Sequence, residues 1–400
     1  MGDLMSPRLV GPSRRVSLVY RVVPHYRVAF YEGLRDRLRT EGVELRLLVG
    51  QPDAGESSRA DTAHLEGVEP LRRHHLEPPG VGTGFEWQEV LKATRQDDLV
   101  IVEDAVRLAS NAALLVRRAL RRGPPVALWG HGTDLQGGDG GLKGVVRRVS
   151  QRNTDWYFAY TDEVVERVVD HGVPRQRTTN VMNTIDTNRF LGELAAVTEA
   201  DIASFRQQIG AGEQAPIGLY CGGLIPDKRL RFLLEAGRAI VAQRPDFQLV
   251  IVGSGPLRPK IEAAAAEHAW VHYLGPQFGS TRAVAFTASD VVLMPGLVGL
   301  VVVDAQLAGS PVITTADARH SPEIAYLEHD RTGLVLPPGS TSTDYAREVV
   351  RLLGDGPRLQ AYRDAGRAAS RALTTERMVE QFASGVCAAL GLETRSVIGQ

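Results

Sequence analysis

Three loops combine residue types able to hold an anion. In YCGGLIPDKRLRFLLEA, an apolar run is followed by Gly222 and Gly223, and Lys228 opens a helical pattern. Two glycines allow close backbone approach to a ligand, and a lysine at a helix start supplies a point charge suited to phosphate. An ordinary βα turn with a solvated lysine would read the same way. In VIVGSGPLRPKI, Gly253 and Gly255 follow a second apolar run; the signal is weaker, because many βα turns need glycine only for their geometry. The third loop lies in VVLMPGLVGLVVVDAQLAG, residues 291–309, whose only ionisable side chain is Asp304. This stretch has roughly the twenty apolar residues that a bilayer requires, but Pro295, its glycines and its acid argue against a span. A strand VVLM, a loop PGLVG and a helix opening at Leu300 or Val301 fit it better. Amides near Gly299 and Leu300 would then point at a bound anion, and the helix dipole would add to the attraction. Asp304, one turn into an apolar helix, is costly to bury without a donor. Ribose hydroxyls are such donors, although a half-exposed aspartate near a helix start is the plainer reading.

Further candidates lie in the first half of the chain. His131 follows PVALW in the glycine-rich GHGTDLQGGDGG, where a lone histidine can also be structural. Glu103 and Asp134 each follow a predicted strand and could meet an acceptor hydroxyl, or be solvated loop acids. His25 and Arg27 follow the first strand. LLVRRALRR, residues 114–122, gives one helix a basic edge. Such an edge is usually a solvated face, but it could also meet an anionic membrane surface.

The elements that position these residues follow from composition and periodicity. The 400 residues are 43% hydrophobic and 23% charged, enough for about two soluble domains. Lys and Arg (46) balance Asp and Glu (47), which gives no sign of a nucleic-acid binder. Cys221 and Cys387 lie far apart in apolar surroundings, without metal-ligand spacing, and read as reduced packing residues of a cytoplasmic protein. The N-terminal MGDLMSPRLVGPSRR lacks the apolar core of a signal peptide. From Val16 onward, short β-branched runs alternate with helical patterns, and the alternation restarts after the polar helix TEADIASFRQQIG. Continuous apolar strands separated by helices imply parallel sheets covered on both faces. The expectation is two doubly wound α/β domains, residues 1–191 and 192–374, facing a cleft, with a helix in 375–400 that can pack back on the first. Ligand contacts should come from loops after strands.

The series Y-C-G-G-L-I-P-D-K, V-G-S-G-P-L, S-D-V-V-L-M-P, V-G-L-V-V-V-D-A-Q-L-A-G-S-P-V-I and H-S-P-E-I resembles, in order and spacing, the C-terminal half of retaining GT-B glycosyltransferases of family 4. VPHYRVAFYEGL, ALWGHGTD and YTDEVVERVVDHGVP with NTIDTNRF resemble the N-terminal half more loosely. The resemblance covers most of residues 15–375 and implies two facing Rossmann-like domains. By it, the amides of Gly299 and Leu300 and the Lys228 ammonium would hold the donor diphosphate, with Gly222 and Gly223 beside them. Gly253 and Gly255 would border the nucleotide, Asp304 would bind the ribose, and Glu323 would match the family's PE pattern. His131 would stand near the transferred sugar, while His25, Arg27, Glu103 and Asp134 would serve an acceptor. Two departures stand out. The first acid of the family's E-x7-E falls on Gly296, and the arginine that often accompanies Lys228 is Gly223. A smaller subset of the family reads PG-x-VGL here.

The implied activity is retaining transfer from a nucleotide diphosphate sugar to a hydroxyl of a glycan, a lipid-linked acceptor or a small molecule. The donor is a co-substrate, and no cofactor or metal is expected, since the sequence has no D-x-D motif. Helix amides and a lysine would stabilise the departing diphosphate. The expected location is the cytoplasm, with peripheral contact at the inner face of the membrane through residues 114–122, and no nucleic-acid partner. A catalytically weakened nucleotide-sugar-binding subunit and a sugar-nucleotide epimerase on the same fold are the alternatives.

Overall fold

The computed structural model describes residues 14–50, 65–76, 84–133 and 140–393. The chain divides into two compact units, Met1–Asn183 with Thr375–Gln400, and Thr184–Thr374.

The first unit is built on a seven-stranded parallel sheet in the order β3-β2-β1-β6-β7-β8-β9. Its strands are β1 (Arg14–Tyr20), β2 (Val43–Gly50), β3 (Val68–Leu71), β6 (Leu99–Glu103), β7 (Val126–Gly130), β8 (Trp156–Ala159) and β9 (Thr178–Asn180). A short antiparallel hairpin, β4 (Arg73–Leu76) with β5 (Phe85–Gln88), was not anticipated from the sequence. Side chains alternate across the strands, so each face needs its own apolar cover. Leu99, Ile101, Ala127 and Trp129 pack with Phe30 and Leu34 of helix Val28–Thr40 and with Met378 and Phe382 of helix Thr375–Ala389. Val100, Val102, Val126 and Leu128 pack on the other face with Leu114 of helix Ala109–Ala119 and Val164 and Val168 of helix Asp162–Asp170.

The second unit has a six-stranded parallel sheet in the order β12-β11-β10-β13-β14-β15. Its strands are β10 (Ile217–Cys221), β11 (Gln248–Val252), β12 (Val271–Gly275), β13 (Val291–Leu293), β14 (Val312–Thr315) and β15 (Gly333–Leu336). The chain reverses direction across the sheet between β10 and β13, the kind of switch point where loops can splay around a ligand. Residues 291–309 form strand, loop and the helix Val301–Ala308 rather than a membrane span.

The division falls after Asn183, not after residue 191, because helix Thr187–Ala195 belongs to the second unit. There Phe190 meets Phe286 edge-on, with ring centroids 5.6 Å apart.

Candidate functional site

In the second unit, the loops after β10 and β11 lie backbone against backbone. Leu224 N–H donates to Ser254 O at 2.8 Å, and Leu257 N–H donates to Leu224 O at 3.0 Å. A Cβ on Gly253 would overlap Gly222 O, and one on Gly255 would lie 2.6 Å from Leu224 O. Both glycines also hold positive φ, +146° and +155°, where side chains are strained. Glycine is therefore required at 253 and 255 by the contact between the two loops, whatever else they border. Gly223 differs, since a Cβ there would meet only Ile225 Cγ2 at 3.9 Å.

The PGLVG loop is fastened group by group. Pro295 O accepts from Thr315 Oγ1 at 2.9 Å. Leu297 N–H donates to Asp227 O at 2.9 Å, and Leu297 O accepts from Lys228 Nζ at 2.6 Å. Val298 N–H donates to His320 Nδ1 at 3.1 Å, and Val298 O accepts from Ser321 N at 2.9 Å. His320 Nε2 lies 2.7 Å from Thr315 O, so the network assigns a neutral ring with its proton on Nε2. Burial lowers the pKa of His320, which favours that form. In HSPEI the histidine that clamps the loop carries no signal in the sequence beyond its place in the motif that Glu323 shares.

Beyond Val298 the pattern stops. The amides of Gly299, Leu300 and Val301 donate to no backbone carbonyl among the described residues, and they stand at the head of helix Val301–Ala308. Lys228 lies in the turn Pro226–Lys228 and is buried, and burial pulls its pKa down to about 8, opposed by Cys221, Asp227 and Glu323. Glu323, in the turn Pro322–Tyr326, is itself buried. Lys228 thus stands against the PGLVG loop through Leu297 O, and Ser321, two residues before Glu323, lies against Gly299.

Gly296 is not simply a site that lacks its acid. A Cβ on Gly296 would overlap Asp227 O and lie 2.6 Å from Lys228 Cα. The turn that carries the lysine occupies the space a side chain at 296 would need.

Asp304 has a resident cationic partner that was not foreseen. Its Oδ1 lies 3.2 Å from Arg282 Nη1, and the guanidinium stacks over Phe190 at 4.2 Å with Glu193 3.8 Å from its Nη2. Burial raises the Asp304 pKa to about 6; Arg282 works against this rise and Glu193 adds to it. A ribose is therefore not needed to explain a buried acid here, though Oδ1, ion-paired with Arg282, makes no hydrogen bond among the described residues.

A cavity of about 550 Å³ in this unit is lined by Glu193, Phe205, Tyr273, Gln277 and Thr281 among others, and none of the expected residues borders it.

In the first unit, His131 follows β7 and packs edge-on against Tyr160, with centroids 4.4 Å apart. Burial, then the charges of Arg27 and Arg147, lower its pKa to about 4, so the ring is neutral near pH 7. Glu103 accepts from Arg21 N at 3.2 Å and Arg21 Nε at 3.1 Å, while burial raises its pKa. His25 is half-buried with its ring edge-on to Tyr26. Arg27, expected to serve an acceptor, is instead enclosed. Its guanidinium bonds Asn183 and Met378 Sδ and lies 5.0 Å from the Trp129 ring centroid. An arginine this deep cannot shed its proton, and the aromatic faces and the amide oxygen compensate its charge. Asp134 lies outside the described residues. Asp104, which no motif in the sequence marks, accepts from Gln151 Nε2 and Tyr157 OH, both at 2.7 Å.

Residues 215–355 match the family described as Glycosyl transferases group 1. The chain is 30% identical over 195 residues to a GDP-mannose-dependent monoacylated alpha-(1-6)-phosphatidylinositol monomannoside mannosyltransferase of Corynebacterium glutamicum, covering 46% of this chain and 49% of that protein. It is 28% identical over 251 residues to a D-inositol 3-phosphate glycosyltransferase of Geodermatophilus obscurus, covering 59% and 53%. The matches span about half the length of these relatives. Among solved structures, Anabaena Alr3699/HepE with UDP and glucose superposes with a TM-score of 0.68 at 18% identity, over 93% of this chain and 99% of that one. WaaG, a glycosyltransferase involved in lipopolysaccharide biosynthesis, gives 0.60 at 16% identity, over 92% and 98%. The chain has the GT-B fold, two Rossmann-like units, with residues 215–355 matching the glycosyl transferases group 1 family.

Proposed function

We propose that this protein is a retaining glycosyltransferase that moves a sugar from a nucleotide diphosphate sugar to an acceptor hydroxyl, without a metal. The observation that carries the proposal is the loop in which every fastened group stops at Val298, leaving three amides at a helix start beside a buried lysine. Fixed donors of this kind stabilise charge that develops on a departing diphosphate, and a lowered lysine pKa marks a desolvated site. The absence of a D-x-D motif supports amides and lysine over a bridging metal. Gly222, Gly223, Gly253 and Gly255 would border the nucleotide, Asp304 would offer its carboxylate to the ribose, and Glu323 would hold Lys228 charged. His131, neutral, would stand near the transferred sugar, with His25 and Glu103 toward the acceptor. The relatives' names span a phosphatidylinositol mannoside and inositol 3-phosphate, which supports a lipid-linked or a small polar acceptor. Neighbours crystallised with UDP or UDP-glucose support a nucleotide-sugar donor.

The test is thermal shift with UDP-, GDP- and dTDP-sugars, followed by transfer assays with the one that binds and NMR of the product anomer. A product of inverted configuration, or no shift with any nucleotide, sinks the reading. Binding without transfer would favour the weakened subunit, and conversion of donor without acceptor would favour an epimerase.

A further inference from the structure

Helix Gly141–Arg152 is built inside out. Its buried positions include Arg147, 4% exposed, and Gln151, fully buried. Gln151 Nε2 donates to Asp104 Oδ2 at 2.7 Å, and Arg147 Nε lies 4.0 Å from Asp104 Oδ1. The valines point the other way, with Val145 47%, Val146 39% and Val149 55% exposed. A helix of a water-facing protein buries its apolar stripe and exposes its charges; here a buried carboxylate fixes the reverse. The preceding crossover helix, Ala109–Ala119, adds Val116, and Leu120 follows its end, at 59% and 60% exposed. These five are most of the large exposed hydrophobics among the described residues. Because β6, β7 and β8 are neighbours joined by successive right-handed crossovers, the two helices lie side by side on one face of the sheet.

The exposed charges carried by these two helices themselves are cationic. Residues 105–133 and 140–154 contain no Asp or Glu. Lys143, Arg148 and Arg152 flank the valines, and Arg121 and Arg122 follow Leu120, all exposed. The exposed acids Asp162, Glu163, Glu166 and Asp170 of the next helix bound the patch on that side. A second copy docked on the same face would set cations against cations. Nucleic acid would answer the charge but leave the aliphatic side chains in water.

We propose that this face docks on an anionic lipid bilayer, with Val145, Val146, Val149, Val116 and Leu120 entering the headgroup boundary and the lysine and arginines meeting lipid phosphates. The basic edge read at residues 114–122 is then the lesser part of a surface centred on helix Gly141–Arg152. The proposal rests on this surface alone and stands apart from the transferase reading.

The experiment is co-sedimentation of the full chain with vesicles of phosphatidylcholine alone or of phosphatidylcholine and phosphatidylglycerol at about 7:3, at low and raised salt. The protein should pellet with the anionic vesicles only, and less at raised salt. Val145→Ser/Val149→Ser and Lys143→Gln/Arg148→Gln should each lower the bound fraction by roughly fivefold or more while leaving the melting temperature unchanged, since every changed side chain is exposed. Failure of the parent protein to pellet with anionic vesicles, equal pelleting of both variants, or binding to a DNA duplex in place of vesicles overturns it. Nucleotide thermal shifts recorded without vesicles report on the transferase reading independently.

Discussion

At the scale of single residues, Lys228 and Asp304 make opposite demands on pH. The lysine's folded pKa is depressed to about 8, so its charge is present below that value and lost above it. Binding of a diphosphate should therefore hold steady up to about pH 7.5 and weaken by up to about one log unit per pH unit beyond pH 8. Lys228→Gln should flatten that profile, and Lys228→Ala should weaken transition-state stabilisation by about 2–4 kcal/mol. A profile unchanged in the glutamine variant removes Lys228 from the site. Asp304 has a folded pKa raised to about 6, so its ionised form is disfavoured in the fold. That penalty is absent below about pH 4, grows between the unfolded and folded values, and is complete above pH 6. Relative to the parent, Asp304→Asn should gain stability with rising pH across this window, on the order of 1–3 kcal/mol, while donor affinity falls through loss of a charge-assisted bond. Denaturant titrations at several pH values check the first effect; unaltered affinity would assign Asp304 to structure through Arg282. The lysine and its glycines were legible in the sequence because they are contiguous. Arg282 and the Arg27 enclosure were not, because their partners come from other elements: Arg27 meets Met378 only through the last helix.

At the scale of elements, strand, PGLVG loop and helix could be read from residues 291–309, but not what holds the loop. That information sits in Thr315, His320 and Asp227, whose contacts arise only when β14 and the turn after β10 come alongside. Two glycines of the loop now separate cleanly. A Cβ on Gly299 would meet only Ser321 Oγ at 3.5 Å, an ordinary contact, and its φ is not positive. Gly299→Ala should keep the parent melting temperature, and Gly299→Val should stay folded yet lose nucleotide binding, because the branched side chain fills the space above the free amides. Gly296→Ala should do the reverse, displacing the Lys228 turn and lowering stability by about 1–3 kcal/mol through overpacking. Gly296→Glu, which would rebuild the acid that the resemblance leads one to expect, should for the same reason damage the site rather than restore it. Calorimetry and nucleotide binding on the four variants decide the matter: a stable, nucleotide-binding Gly296→Glu protein would mean that the loop and turn are not packed as described.

At the scale of the whole molecule, the second unit is an insertion between β9 and the final helix of the first: the chain leaves after Asn183 and returns at Thr375. The restart of the strand–helix alternation made two domains legible, and the first unit resumes at the break between helices Gly356–Ser370 and Thr375–Ala389. The returning helix is deeply embedded. Phe382 stacks on Phe158 with centroids 4.3 Å apart and meets Trp129 edge-on at 5.1 Å, and Met378 lies against Arg27. Truncating one such aromatic costs about 3–5 kcal/mol, and a domain's whole stability is about 5–15 kcal/mol. Loss of the helix should thus unfold the first unit, while the second, whose two ends are joined by a 2.7 Å bond from Thr184 Oγ1 to Leu373 O, should be indifferent. Residues 184–374 expressed alone are expected to melt in one cooperative transition and to retain nucleotide binding. A chain ending at residue 374 is expected to show that same transition, with residues before 183 cut rapidly by protease. If the shortened chain instead keeps a protected first unit, the final helix is an accessory rather than part of its core.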